Sequence, residues 1–346
     1  MPKGRDSEGL ARTIDRPVNK GVHLGFLPGD DEGTVEVWSA NGGDAILTPG
    51  MKLSEAVSNV SFSADGRFLG IAGLLGTIRL VTTANWKHSD FVHAQENVFV
   101  AGFSPDSLYF VVGAEPFTGD GVIRRWRLDS QTSLRELPPI SPGHWIRGLS
   151  FASDGLHAIV GTNTPQDHSE VVVVQLDTGQ QVSRLSGGPV VAASPRGDLI
   201  ATGTADGTVT VSTLRSRRQH NLLTRVGSVA TLAFSPDSEL LAVGDGDGAA
   251  RVLRVRDGVE AIRITHNGGV SVLAFSPDGT LLATGGDTRD RSVRLWSTDA
   301  DRLVRDLCTG PGQNPDPSYW RHFFGNLAWK RTCPGWLPKD VSAVEK

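Results

Sequence analysis

An all-β fold built by repeating one four-stranded unit is predicted by three observations. The first is glycine, which supplies 41 of the 346 residues, with 19 prolines adding further turn punctuation. That is about 12 %, against an average usage near 7 %. The second is one stretch, VSVLAFSPDGTLLATGGDTRDRSVRLW (270–296), which reads as strand, tight turn, strand, loop, strand. The third is the return of its turn as SADG (63–66), SPDS (104–107), ASDG (152–155), SPRG (194–197), SPDS (235–238) and SPDG (276–279). The third-position residues Asp65, Asp106, Asp154, Arg196, Asp237 and Asp278 are 41, 48, 42, 41 and 41 residues apart. A four-stranded propeller blade takes about 40–45 residues. The expected fold is therefore a β-propeller, and the longest interval marks a local insertion.

Each element of the unit has its own chemistry. The first strand of 270–296 carries Val270, Val272, Leu273 and Phe275, the second runs from Leu281 to Thr284, and the third carries Val293, Leu295 and Trp296. In the turn, proline presets φ, aspartate bonds its own backbone, and glycine accepts φ > 0 without steric cost. Four residues before each marker the side chain is small: Ser61, Gly102, Ser150, Ala192, Ala233 and Ala274. Small residues suit tapered inner strands. The residues that follow (Phe62, Phe103, Phe151, Ala193, Phe234 and Phe275) are mostly aromatic and are expected to pack between neighbouring blades.

A seventh copy is expected at the N-terminus. Trp296 lies 18 residues after Asp278, and counting the same distance back from Trp38 reaches Lys20, 45 residues before Asp65. Asn19-Lys20-Gly21 then serves as the turn, VHLGF as the second strand, GTVEVW (33–38) as the third, and LARTIDR (10–16) as the inner strand. The sequence thus predicts a seven-bladed β-propeller of four-stranded antiparallel blades at 10–50, 51–92, 93–140, 141–186, 187–223, 224–264 and 265–308. Residues 1–9 form a flexible start, and 309–346 a short helical tail.

Over roughly residues 10–308 the pattern resembles the WD-repeat family of β-propellers. The third strands carry its signature unevenly, and only Trp38, Trp126 and Trp296 keep the tryptophan. The family's aspartate before that strand matches Asp120, Asp206, Asp247 and Asp290, whereas Glu32 and Leu75 stand in the first two copies. Its Gly-His at the blade entrance matches His266, with Gly143-His144 a weaker parallel. The resemblance implies a buried polar staple of His266, Thr284, Asp290 and Trp296 in the last blade. In many relatives an N-terminal segment completes the last blade. Here Arg302-Leu303-Val304-Arg305 reads as that blade's own outer strand, so closure rests on packing or on the tail.

After Leu307 the period stops. Asp316-Pro317 followed by SYWRHFF reads as a capped short helix ending at Gly325. Its aromatics, with those that follow (Trp320, Phe323, Phe324, Trp329, Trp336), must dock on something, and the propeller is the expected surface. The stretch is similar to an extension that follows WD-repeat domains of bacterial signalling proteins, through Trp320, Trp329, Thr332-Cys333-Pro334 and Leu337-Pro338. Relatives of that type often carry an NTPase, protease or kinase module. This sequence has no phosphate-binding GxxxxGK[ST] loop and no kinase motif set. Cys308 and Cys333 flank the helix; a disulfide and two free thiols are both open, and a reducing cytosol favours the thiols.

Composition narrows the function classes. A net charge of −4 gives no electrostatic footprint for nucleic acid. There is no run of 18 apolar residues for a membrane span, and the start lacks the apolar core of a secretory signal. The expectation is a cytoplasmic chain, monomeric alone, with a protein partner and no nucleic-acid or membrane partner. No GxSxG elbow or HExxH motif is present, and two cysteines make no thiolate metal site, so no catalytic residue, cofactor or metal ligand is assigned. The resemblance implies that the irregular loops AEPFTGDG (114–121) and NTPQDHSE (163–170) emerge on one face beside SPGHW (141–145). They bring Phe117, His144, Trp145 and His168 forward as a partner-binding patch, since loops on a rigid scaffold carry binding and aromatics anchor it. His144-Trp145 reads equally as a structural blade entrance, and the long loops equally as tolerated insertions. The function expected is a non-catalytic protein-interaction scaffold in a bacterial signalling complex. The alternative is a lactonase- or hydrolase-like propeller enzyme with its site at the central channel, which the Val-, Leu-, Ala- and Ser-rich inner strands disfavour.

Overall fold

In four of the six described sheets the serine and aspartate of the turn together hold the first hairpin. In the computed structural model the described residues are Gly33, Val35 and 52–298, apart from 94–95, 117–118, 129–133, 164–168, 198, 214–218, 224–226 and 291. Ser63 Oγ donates to the Asp65 carboxylate at 2.7 Å and accepts the Phe68 amide at 2.9 Å. The same hub forms at Ser104–Asp106–Tyr109, Ser235–Asp237–Leu240 and Ser276–Asp278–Leu281. Ser194 keeps the amide half through Leu199, because Arg196 stands at the acidic position. Ala152 has no hydroxyl, and Asp154 takes the Leu156 amide at 2.8 Å instead.

These bonds give the turns a pH dependence. The hydroxyl of Ser276 and the amide of Thr280 hold the Asp278 carboxyl down at about 2, and Ser235 lowers Asp237 in the same way. A folded value below the unfolded one means stabilisation that is present above the ordinary carboxylate range and lost as pH falls through the folded value. Urea midpoints should therefore drop between pH 4 and 2, and Asp278→Asn should flatten that drop. An unchanged acid limb in the variant would remove Asp278 from the account.

Six antiparallel sheets follow among the described residues. The first holds β1 (Val57–Phe62), β2 (Phe68–Gly73), β3 (Thr77–Thr82) and β4 (His88–His93), and the second β5 (Asn97–Phe103), β6 (Tyr109–Glu115), β7 (Val122–Leu128) and β8 (Leu134–Ile140). The third holds β9 (Trp145–Phe151), β10 (His157–Asn163), β11 (Ser169–Gln175) and β12 (Gln181–Ser186). The fourth holds β13 (Val190–Ala193), β14 (Leu199–Gly203), β15 (Val209–Thr213) and β16 (Gln219–Leu223). The fifth has β17 (Val229–Phe234), β18 (Leu240–Asp245), β19 (Ala249–Arg254) and β20 (Glu260–Thr265). The sixth has three strands among the described residues: β21 (Val270–Phe275), β22 (Leu281–Gly286) and β23 (Val293–Ser297). Sequence-adjacent strands pair within each sheet, and the first strands pack on one another in turn, β1 on β5, β5 on β9, β9 on β13, β13 on β17 and β17 on β21. This is the arrangement of propeller blades.

The expectation of seven blades is corrected to six. Each sheet is built on a turn copy that keeps the serine hub, the aspartate, or both. The seventh copy was inferred from a tryptophan interval, and its Asn19-Lys20-Gly21 has neither half of the hub. Residues 10–32 and 36–51, on which that copy rests, lie outside the described residues. Gly33 and Val35 pack against the first sheet: the Gly33 carbonyl accepts the Leu53 amide at 2.8 Å, and Val35 is buried with Leu53, Val57, Leu69, Ile71 and Val81. The expected outer strand at 302–305, ring closure, the aromatic tail and both cysteines also lie outside the described residues.

Second strands are buried throughout because both of their faces meet a core. On β2, Phe68 and Ala72 pack with Phe103, Phe110 and Trp126 of the second sheet, while Leu69 and Ile71 face Val57 and Val35. Period-2 alternation thus serves two interfaces at once. The small inner-strand residues make room for the next blade's aromatic: a Cβ at Gly102 would meet the Phe151 ring at 3.2 Å. The turns are also tied across blades. Ser107 and Ser238 occupy the turn-glycine position at φ 60° and 63°, and their hydroxyls accept the Asp65 and Arg196 amides, each at 3.0 Å. The left-handed backbone costs about 1–2 kcal/mol for an L-residue, which the inter-blade hydrogen bond offsets.

The chain divides into two units, 1–295 and 296–346. All complete sheets lie in the first, and the described part of the second is limited to Trp296, Ser297 and Thr298.

Candidate interaction surface

The polar staple expected in the last blade assembles in part. His266 Nδ1 bonds the Asp290 carboxylate, and His266 Nε2 meets Thr284 Oγ1 at 2.8 Å. Ser292 Oγ donates to the same carboxylate at 2.6 Å and helps to hold its titration low. His266 and Thr284 are buried, so each polar group has a partner where water does not reach. Trp296, the fourth residue expected, falls in the second unit.

The staple histidine's place is taken by leucine in the first sheet. Leu53 donates to Gly33 O as His266 donates to Gly248 O. Its carboxylate, however, is kept and delivered differently. Gly73, Asp245 and Gly286 end their second strands at equivalent register positions, opposite Val57, Val229 and Val270. A Cβ at Gly73 would strike the Glu55 carboxylate, and one at Gly286 would strike Asp290. In the fifth sheet Asp245 itself fills that space, buried, bonding Arg251 and accepting the Asp247 and Ala249 amides. Glu55 accepts the Leu75 and Thr77 amides, the loop function that aspartate at position 75 would have served.

The expected patch is only partly described. Phe117 and His168 lie outside the described residues. His144 Nε2 is 3.9 Å from Glu170, which pairs with Arg184 at 2.6 Å. Trp145 is 36 % exposed. What sequence reasoning missed are its neighbours. Arg147 lies with its guanidinium 5.6 Å over the Trp145 ring and 4.9 Å over the ring of Phe99, which is 37 % exposed. Glu115, at the end of β6, binds Arg147 Nη1 at 2.6 Å. Burial pushes the Glu115 carboxyl up, and Arg147 opposes that shift.

A backbone irregularity presents these side chains. In β5 the pairing steps from Val98 to Val100, leaving Phe99 unpaired; in β9 it steps from Ile146 to Gly148, leaving Arg147. Such bulges re-aim a side chain away from the ladder. The corresponding bulge residues elsewhere are Ser58, Ala230 and Ser271. Aligning the inner strands at that position would have exposed the signal: two large residues on neighbouring blades where the others carry small ones.

Two family models match. Residues 260–297 match "WD domain, G-beta repeat", and residues 191–269 match "Anaphase-promoting complex subunit 4 WD40 domain". Together with the six sheets, these matches support a WD-repeat β-propeller. The matched residues cover the fourth, fifth and sixth sheets, and the Asp245 and His266 networks lie in the last two of these. No curated protein matches the chain. Among the described residues, no group of three or more His, Cys, Asp or Glu is placed to hold a metal, and no helix is long and apolar enough to cross a membrane.

Proposed function

We propose that the chain is a non-catalytic platform that captures a protein partner on the surface formed by Phe99, Trp145 and Arg147. The observation that carries this reading is the exposed aromatic pair on adjacent inner strands, held in one geometry by a guanidinium between them. Exposed aromatics and arginine are the residue types that anchor interfaces, and a WD-repeat propeller is a scaffold of the kind that mediates protein contacts. A place in a bacterial signalling complex in the cytoplasm is the finer reading; its support is the likeness of the 309–346 sequence to extensions of such proteins.

The test is affinity capture from the native cell with the full chain and with a Phe99→Ala/Trp145→Ala variant, read by mass spectrometry. The variant should keep its thermal midpoint, because both rings are partly exposed, while capture of the main partner drops about tenfold or more. Equal capture by both proteins rejects the surface.

A further inference from the structure

We infer that the Phe99–Arg147–Trp145 surface receives an acidic side chain from a peptide segment of the partner, with an apolar residue beside it. The inference rests on the platform reading above and specifies the partner's chemistry. Arg147 spends Nη1 on Glu115 at 2.6 Å and on the Ile146 carbonyl at 3.3 Å. Its Nε and Nη2 have no hydrogen-bond partner among the described residues. Those two N–H groups lie side by side on one edge of the guanidinium and match the two oxygens of a carboxylate. The side chain is about one-third exposed.

A basic guest is disfavoured by the same geometry. The ring faces that would attract a cation are already turned to Arg147, and a lysine or arginine approaching them meets its positive charge. Glu115 is mostly buried and on the Nη1 side, so it fixes the guanidinium without covering the free edge. Stacking also removes the rotamer freedom that a lone surface arginine loses on binding, so the donor fork is held ready. The apolar neighbour follows from position. The Leu74 carbonyl accepts the Val98 amide at 3.0 Å, which sets the Leu74–Leu75 turn beside the start of β5 and Phe99. Leu75 is 61 % exposed, and Leu74 and Phe99 continue the apolar rim.

The test is panning of a phage-displayed random dodecapeptide library on the full chain, on Arg147→Gln and on Arg256→Gln, a control in an exposed turn of the fifth sheet. Thermal midpoints establish that all three are folded. The expected result is enrichment of Asp or Glu next to an apolar residue on the wild type and the control, with selected peptides binding Arg147→Gln about tenfold or more weakly. Arg147→Lys should not restore binding, because an ammonium has no planar fork. Enrichment of basic peptides, no enrichment at all, or equal binding by Arg147→Gln overturns the inference. If Phe99→Ala/Trp145→Ala loses the native partner while Arg147→Gln retains it, the platform reading stands and the acidic-peptide inference falls.

Discussion

Arg251→Leu should destabilise the protein by about 3–5 kcal/mol, because it leaves the Asp245 carboxylate charged and buried without its cation. The Asp245 side chain is 1 % exposed and that of Arg251 11 %, so solvent cannot replace the lost partner. Glu260 adds a second, longer contact to Arg251 at 3.5 Å, but it keeps its two bonds from Arg263 when Arg251 is replaced. The informative experiment adds Asp245→Asn to Arg251→Leu. An asparagine oxygen still accepts the Asp247 and Ala249 amides, but it carries no charge. Its own NH2 goes unpaired at a cost of about 1–3 kcal/mol, so the double variant should recover only about 1–2 kcal/mol of the 3–5 lost. Urea unfolding of the wild type, Arg251→Leu, Asp245→Asn and the double variant measures this. A loss below about 1 kcal/mol in Arg251→Leu would falsify the buried-charge account.

Gly161→Ala should cost about 3 kcal/mol or more, for a steric reason. A Cβ on Gly161 would overlap the Pro189 carbonyl oxygen, a backbone atom at the entrance of the fourth sheet. No side-chain rotation relieves that contact, so one sheet must move against the next. The control is Gly246→Ala, whose nearest neighbour would be the Ser228 carbonyl at 3.7 Å, an ordinary contact. There, alanine restricts the unfolded chain more than it strains the folded one and should stabilise by about 0.4–1 kcal/mol. Opposite signs at the two glycines test the blade spacing directly; a similar small effect at both would mean that the interface yields.

Much of the fold was legible because its strongest determinants are local. A serine that bonds an aspartate two residues on, and an amide five residues on, writes its geometry into four or five consecutive letters. The period and the antiparallel hairpins follow from those letters. The blade count did not follow as surely, because the seventh copy was extended from a tryptophan spacing into a segment without the turn chemistry. The proposed interaction surface was half visible. Trp145 stood out as an exposed-loop aromatic, but Phe99 and Arg147 looked like ordinary strand residues. Only the register shift that unpairs them turns them outward. Glu55 was hidden for a different reason: the carboxylate that substitutes for aspartate at position 75 comes from 20 residues away in sequence.

That relocation bears on how such a chain can grow or lose blades. In the first, fifth and sixth sheets the carboxylate comes from the entrance segment, from the second strand or from the following loop, but always from the blade it serves. Duplication or excision of a whole blade therefore carries its charge compensation along intact. The ties through Ser107 and Ser238 behave oppositely, since each reaches into the preceding blade. A cut between such a serine and the blade whose amide donates to it leaves a strained backbone with nothing to offset it. Gene rearrangements are thus tolerated unevenly around the molecule, most easily at the junctions where no hydroxyl crosses.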